Sequence, residues 1–184
     1  MKKLTLFLFL VLMISSVSYA QSLRGLDKSP LDNAYFPDNF AHDRKPGEKA
    51  VLRVTYSRPQ KKERDVFGGI VPYDKVWRTG ANEATEIILY QDVKFGDKKL
   101  KAGSYSLFTI PGEKEWTIIF NSDLDYWGAY SYNPENDVLR ISVQTGMLDE
   151  VVEAFTIQFE KKDEGTAVMK LAWDQTLVEV PFSY

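Results

Sequence analysis

Ala50-Val51-Leu52-Arg53-Val54-Thr55-Tyr56-Ser57 is the stretch from which the fold is read. Leu52, Val54 and Tyr56 alternate with Val51, Arg53, Thr55 and Ser57, and a period of two puts each set on its own face of an extended strand. The alternation returns further on. Leu139, Ile141 and Val143 oppose Arg140, Ser142 and Gln144; Phe155, Ile157 and Phe159 oppose Thr156, Gln158 and Glu160; Met169, Leu171 and Trp173 oppose Lys170 and Asp174. Three more fully apolar runs, at Glu86–Tyr90, Tyr105–Ile110 and Trp116–Phe120, read as central strands. Gly96-Asp97, Pro111-Gly112, Asp163-Glu164-Gly165 and Asp174-Gln175 supply turn chemistry between the runs. Only Met147–Ala154 offers helical spacing, with Met147, Val151 and Ala154 at i, i+4 and i+7. The expectation is an all-β chain: an antiparallel β-sandwich, or a partly open barrel, of about eight to ten short strands with at most one short helix. It occupies residues 50–184 as a single domain.

Outward from that core, residues 21–49 hold Pro30, Pro37, Pro46 and Gly47 and follow neither period. They are expected to lie irregularly over the domain, held by Leu31, Tyr35, Phe36 and Phe40. Residues 1–20 read as a secretion signal: Lys2 and Lys3, then the apolar run Leu4–Ile14, then Ser18-Tyr19-Ala20 as the small-x-small cleavage pattern. The run is too short to span a bilayer, which takes about 20 apolar residues, and no transmembrane segment is expected later in the chain. An exported, soluble protein, periplasmic or extracellular, is therefore expected. With no cysteine in the sequence there is none to accept a lipid after the signal, so a lipoprotein is not expected.

The absence of cysteine also removes any disulfide framework, so the core alone must hold the domain. Lys2 and Lys3 are two of the 23 basic residues, which leaves 21 against 26 acidic side chains after the signal, a net charge near −5. Nucleic-acid binding, which rests on clustered Lys and Arg, is excluded as a reading. A Ser–His mechanism needs a placed imidazole, and the only histidine, His42, falls in the irregular segment. Zinc and its relatives need Cys or His, so no metal and no cofactor are expected. Asn121, Asp123 and Asp125 have the spacing of the first calcium ligands of an EF-hand loop, but Tyr126 stands where Gly is required and Tyr132 where the bidentate Glu is required. An acidic turn is the simpler reading. Phe67-Gly68-Gly69 lacks the Lys-Ser/Thr of a phosphate loop and reads as a bend.

Val76-Trp77-Arg78-Thr79-Gly80-Ala81-Asn82-Glu83-Ala84-Thr85 is the most unusual segment. It sets Trp77, Arg78, Asn82 and Glu83 around a glycine-centred turn. As a ligand site, Arg78 would clamp a carboxylate or hydroxyls with its planar fork, Asn82 would both donate and accept, and Glu83 would accept hydroxyl protons. As a corner, the same residues would lock a turn, with Arg78 paired to an acid. Arg58 and Tyr73 lie just upstream, and Trp127 and Tyr130 sit in the aromatic run Tyr126–Tyr132. Such rings suit a flat ligand, but the simpler reading is that they fill the gap between two sheets. No catalytic residue is assigned; Glu83 is the one candidate for a general base.

Tyr56-Ser57-Arg58-Pro59, Phe67-Gly68-Gly69-Ile70-Val71-Pro72-Tyr73, the Val76–Thr85 segment, Ala102–Pro111 and Trp127-Gly128-Ala129-Tyr130 together resemble the fingerprint of a bacterial family, domain-of-unknown-function family 2911. The likeness runs from near Ser29-Pro30 to Val180-Pro181. It implies an exported single domain and supplies no activity, substrate or catalytic residue. Three functional readings follow from the residues: a non-catalytic binding module for a small polar ligand, glycan or envelope partner protein; a structural or assembly protein of the cell envelope; and a carboxylate-based hydrolase or lyase.

Overall fold

The computed structural model describes Leu23 and residues 25–184, so the secretion signal read in residues 1–20 lies outside the described residues. Nine antiparallel strands form one open sheet: β1 (Leu31–Phe36), β2 (Leu52–Ser57), β3 (Thr85–Leu89), β4 (Val93–Phe95), β5 (Lys98–Leu100), β6 (Gly103–Ile110), β7 (Glu115–Asn121), β8 (Asp137–Asp163) and β9 (Thr166–Ser183). Their order across the sheet is β1-β2-β3-β6-β7-β8-β9-β4-β5. The all-β architecture follows the alternation in the sequence. Leu52, Val54 and Tyr56 face inward with Ile87, Leu89 and Leu107, and so do Met169, Leu171 and Trp173. The one α-helix among the described residues, α1 (Phe40–Asp43), is a single turn.

Two strands are much longer than the sequence suggests. β8 runs 27 residues and β9 runs 18. The first part of β8 pairs with β7 (Leu139↔Phe120, Val143↔Trp116), and from Thr145 onward it pairs with β9. Register shifts between Met147 and Val152, and again between Val152 and Thr156, break the ladder with β9 just after β8 has changed partner. Bulges of this kind bend a strand and raise its twist. Met147–Ala154 is therefore extended rather than helical, and its i, i+4 spacing falls on the irregular stretch. Asp174-Gln175 is likewise no turn. Asp174, at φ 55°, and Gln175 lie within β9 opposite the irregularity in β8.

Residues 25–49 are less irregular than their composition implies. β1 forms within them because its register on β2 (Ala34↔Val54, Phe36↔Leu52) satisfies its backbone and drives Phe36 into the core. The open sheet curls around that core. Phe36 contacts Phe159 of β8 and Phe182 of β9, Phe95 of β4 packs on Phe120 of β7, and Tyr56 meets Phe155 edge-on.

Candidate functional site

Between Glu153 and Ile157 the side of β8 that does not face β9 would present unpaired backbone groups, a template for unwanted strand pairing. The Tyr56-Ser57-Arg58-Pro59 segment covers it. Phe155 N–H donates to the Pro59 carbonyl (2.9 Å) and Lys61 N–H to the Glu153 carbonyl (2.8 Å). The buried Tyr56 hydroxyl accepts from Ile157 N–H (3.0 Å) and donates to its carbonyl (3.3 Å). Burial raises the Tyr56 pKa, which keeps the phenol neutral and able to donate. Arg58 spends its fork on three partners: Nε on the Phe155 carbonyl (3.0 Å), Nη2 on Thr156 Oγ1 (2.8 Å) and Nη1 on Asp32 Oδ2 (3.0 Å). It ties β1, β2 and β8 together.

The Trp77–Thr85 segment is a locked corner. Trp77, only 8% exposed, sits among Phe67, Trp116, Phe155 and Trp173, stacked on Trp173 at 6.0 Å. Its Nε1 donates to the Gly80 carbonyl (3.1 Å), and its backbone exchanges both hydrogen bonds with Thr109. Thr79 holds a left-handed φ of 55°, costly for a β-branched residue, and is buried between Thr109 Oγ1 (3.1 Å) and the Thr85 hydroxyl, which donates to the Thr79 carbonyl (2.6 Å). A Cβ at position 80 would lie 2.9 Å from the Ser57 carbonyl, so only glycine lets the corner approach β2 this closely.

Beyond the corner the chain opens onto a cleft of about 500 Å³. Ala84 N–H donates to the Tyr126 carbonyl and Gly128 N–H to the Asn82 carbonyl, each at 2.9 Å. This short ladder sets Trp127 opposite Glu83. Trp127 is 62% exposed, the only one of the four tryptophans in the chain that is not buried. Thr55, Glu86 and Ser106 line the cleft and are register partners across β2, β3 and β6, a polar row on the sheet face turned away from the core. Asn82, Glu83, Leu124, Asp125, Tyr126 and Trp127 form one wall, and Gly25, Asp27, Ser29 and Leu31 the other. Asn82 Nδ2 reaches across to Asp27 Oδ1 at 3.0 Å. Asp27, Glu83, Glu86 and Asp125 make the lining acidic, and no Lys, Arg or His among the described residues joins it. Such a surface accepts hydrogen bonds and repels anions.

The eight residues singled out in the sequence thus separate. Asn82, Glu83 and Trp127 meet in the cleft. Trp77 is in the core and Arg58 at the strand edge. Tyr73 lines a second cavity of about 260 Å³ with Phe67, Trp116 and Gln175. Arg78 is half-buried, and Tyr130, 85% exposed, packs its ring over Gly128. Arg78 and Glu83 do not pair: no ion pair among the described residues includes either. The row Thr55, Glu86, Ser106 was not singled out. Its signal lay in the polar phase of the alternating 50–57 stretch and in single polar positions at the start of two mostly apolar runs, but strand register decides whether such residues meet. The calcium-like spacing dissolves into internal bonds. Asn121 Nδ2 donates to the Asn133 carbonyl (3.0 Å) and Asp137 Oδ1 (2.8 Å), and Asp123 Oδ2 accepts from the Tyr126 hydroxyl (2.5 Å). Among the described residues no group of three or more His, Cys, Asp or Glu is placed to hold a metal ion.

No curated protein and no solved structure matches the chain. A family model does match, over residues 39–182, which takes in every strand except β1 and the last residue of β9. The corner, Arg58 with its two partners on β8, and the Trp127 wall fall inside that match, Asp32 falls outside it, and the chain belongs to the family described as protein of unknown function, DUF2911.

Proposed function

We propose that the chain is a non-catalytic binding module whose cleft takes a small hydroxyl-rich ligand, a sugar or short glycan. The observation that carries the reading is Trp127, exposed at the rim of a cleft whose lining includes four carboxylates and several hydroxyls. A sugar offers C–H faces to an indole and O–H donors to carboxylates and amides. Asn82 and Glu83 stand beside that indole, while Thr55, Glu86 and Ser106 give a polar floor. The rigid strands beneath keep these groups in place without a ligand. The leader-like residues 1–20 support a site of action outside the cytoplasm; an intact mass beginning at Gln21 in the exported protein is the matching outcome.

The test is a thermal-shift panel of neutral mono- and oligosaccharides beside dicarboxylates. A ligand at one hundred times its Kd adds about 2.7 kcal/mol to stability. Stabilisation by a neutral sugar is expected in the wild type, lost in Trp127→Ala and weakened in Glu83→Gln, with both variants as stable as wild type when empty. A sugar response unchanged in Trp127→Ala contradicts the placement. A second reading, a carboxylate-based glycan hydrolase, draws on Glu86 and Asp125 lining the cleft with Glu83. It requires Glu83→Gln to slow hydrolysis about 100-fold or more, and equal rates exclude it.

A further inference from the structure

Four guanidinium groups lie near the corner and its facing loop in sequence, and three of them are engaged. Arg64 donates to the Lys61 and Gln60 carbonyls. Arg58 makes the three bonds given above. Arg140 holds Asp137 through Nε (2.6 Å) and the Tyr132 hydroxyl through Nη2 (2.6 Å). Arg78 has neither kind of partner. Its Nε is closed off from solvent without a hydrogen bond, and no carboxylate among the described residues forms an ion pair with it. Burial lowers its pKa, and the ionisable group that acts in the opposite direction is the phenol of Tyr130. Half-buried charges are normally paired, because desolvation without a partner is costly. The cost persists here in the corner that also builds the cleft wall: the Arg78 carbonyl accepts from Thr85 N–H (3.1 Å), so the backbone of this residue is fixed.

We propose that Arg78, whose buried Nε has no hydrogen-bond partner, is an anion-binding position that takes an oxyanion, the carboxylate or phosphate group of a ligand. The chemistry is that of a planar fork whose outer end, the two Nη groups, matches either oxyanion in two-point contact while Nε stays closed off from solvent. Arg78 does not line the acidic cleft, so this position stands apart from the sugar reading. The charge of the cleft is also wrong for an anion, whereas Arg78 supplies an uncompensated positive charge.

The experiment is a thermal-shift and NMR titration of the full mature chain with sodium acetate and with inorganic phosphate, against sodium chloride at matched ionic strength. The expected result is stabilisation beyond chloride by one or both anions, with the Arg78 Nε–H resonance among those that move. The two arms distinguish a carboxylate ligand from a phosphate ligand. Arg78→Met is expected to weaken anion binding at least tenfold and to raise the melting temperature of the anion-free protein, because an unpaired charge is removed. Arg78→Lys keeps the charge but loses the fork, and should fall between the two. Trp127→Ala and Glu83→Gln should leave the anion response unchanged, so failure of the sugar reading would not touch this one. An anion response equal to that of chloride, or one retained in Arg78→Met, overturns the proposal. So does a sharp loss of stability in both Arg78 variants without any resonance shift at Arg78 in the wild type, since that marks a residue with a structural role only.

Discussion

Trp77 and Trp127 carry the same side chain into opposite roles. Trp77 is surrounded by four aromatic rings and hydrogen-bonded through Nε1, while Trp127 stands at the mouth of the cleft. Replacing Trp77 with Ala leaves a large cavity and is expected to cost about 3–5 kcal/mol. Replacing Trp127 with Ala is expected to change stability by less than about 0.5 kcal/mol. Urea unfolding of both variants checks the pair, and equal losses would contradict the assignment of one to the core and the other to the site. Nothing in the local sequence separates the two, because each stands outside the alternating runs with a glycine within three positions, Gly80 after Trp77 and Gly128 after Trp127. The separation comes from long-range packing on Trp173 and Phe155.

Tyr132 gives a pH-dependent outcome at the same scale. Burial and its hydrogen bond to Asp137 (2.6 Å) push its pKa up to about 12. A phenol that ionises later when folded than when unfolded stabilises the fold fully below the unfolded pKa, near 10, and this contribution is lost as pH rises toward about 12. Urea midpoints measured between those values should fall with pH, and should fall less steeply in Tyr132→Phe. An identical slope in the variant would contradict the coupling.

β8 is the element on which sequence and structure differ most. Its two apolar runs, around Leu139–Val143 and Phe155–Phe159, are legible as strands. Their union is not. It depends on a ladder that changes from β7 to β9 and on register shifts that carry no fixed residue signature. The Tyr56–Lys61 strap is then needed to cover the side of β8 left open. Removing the Tyr56 hydroxyl leaves the buried N–H and carbonyl of Ile157 without partners, so Tyr56→Phe is expected to cost about 1–3 kcal/mol. Hydrogen exchange should show faster loss of the Ile157 amide in that variant, with the amides of β3 unaffected. Arg58→Lys should lose most of the stability that Arg58→Ala loses, because a single ammonium cannot span the Phe155 carbonyl, Thr156 and Asp32 at once. Unchanged Ile157 protection in Tyr56→Phe would contradict the edge-sealing role.

For the whole molecule, the all-β class, the inward faces and the hairpin turns at Gly96-Asp97, Pro111-Gly112 and Asp163-Glu164-Gly165 were legible because period and turn chemistry are local. The cleft was legible in part. Asn82, Glu83 and Trp127 stood out as a polar turn and an aromatic run, whereas Thr55, Glu86 and Ser106 become neighbours only through sheet register. The N-terminal wall at Gly25–Leu31 belongs to a stretch whose composition gives no sign of what it packs against. Asp27 meets Asn82 across 55 positions of sequence, a contact that no local pattern encodes.

The central claim, a cleft that seats a sugar against Trp127, has a built-in reporter. Trp77, Trp116 and Trp173 are buried, so acrylamide reaches chiefly Trp127. The most direct measurement is acrylamide quenching of tryptophan fluorescence across a panel of neutral mono- and oligosaccharides, with Trp127→Phe as control. Reduced quenching and a shift of emission to shorter wavelength with a neutral sugar, both absent in Trp127→Phe, are the predicted result. Trp127 remaining as open to acrylamide in saturating sugar as in its absence, across the panel, would contradict it.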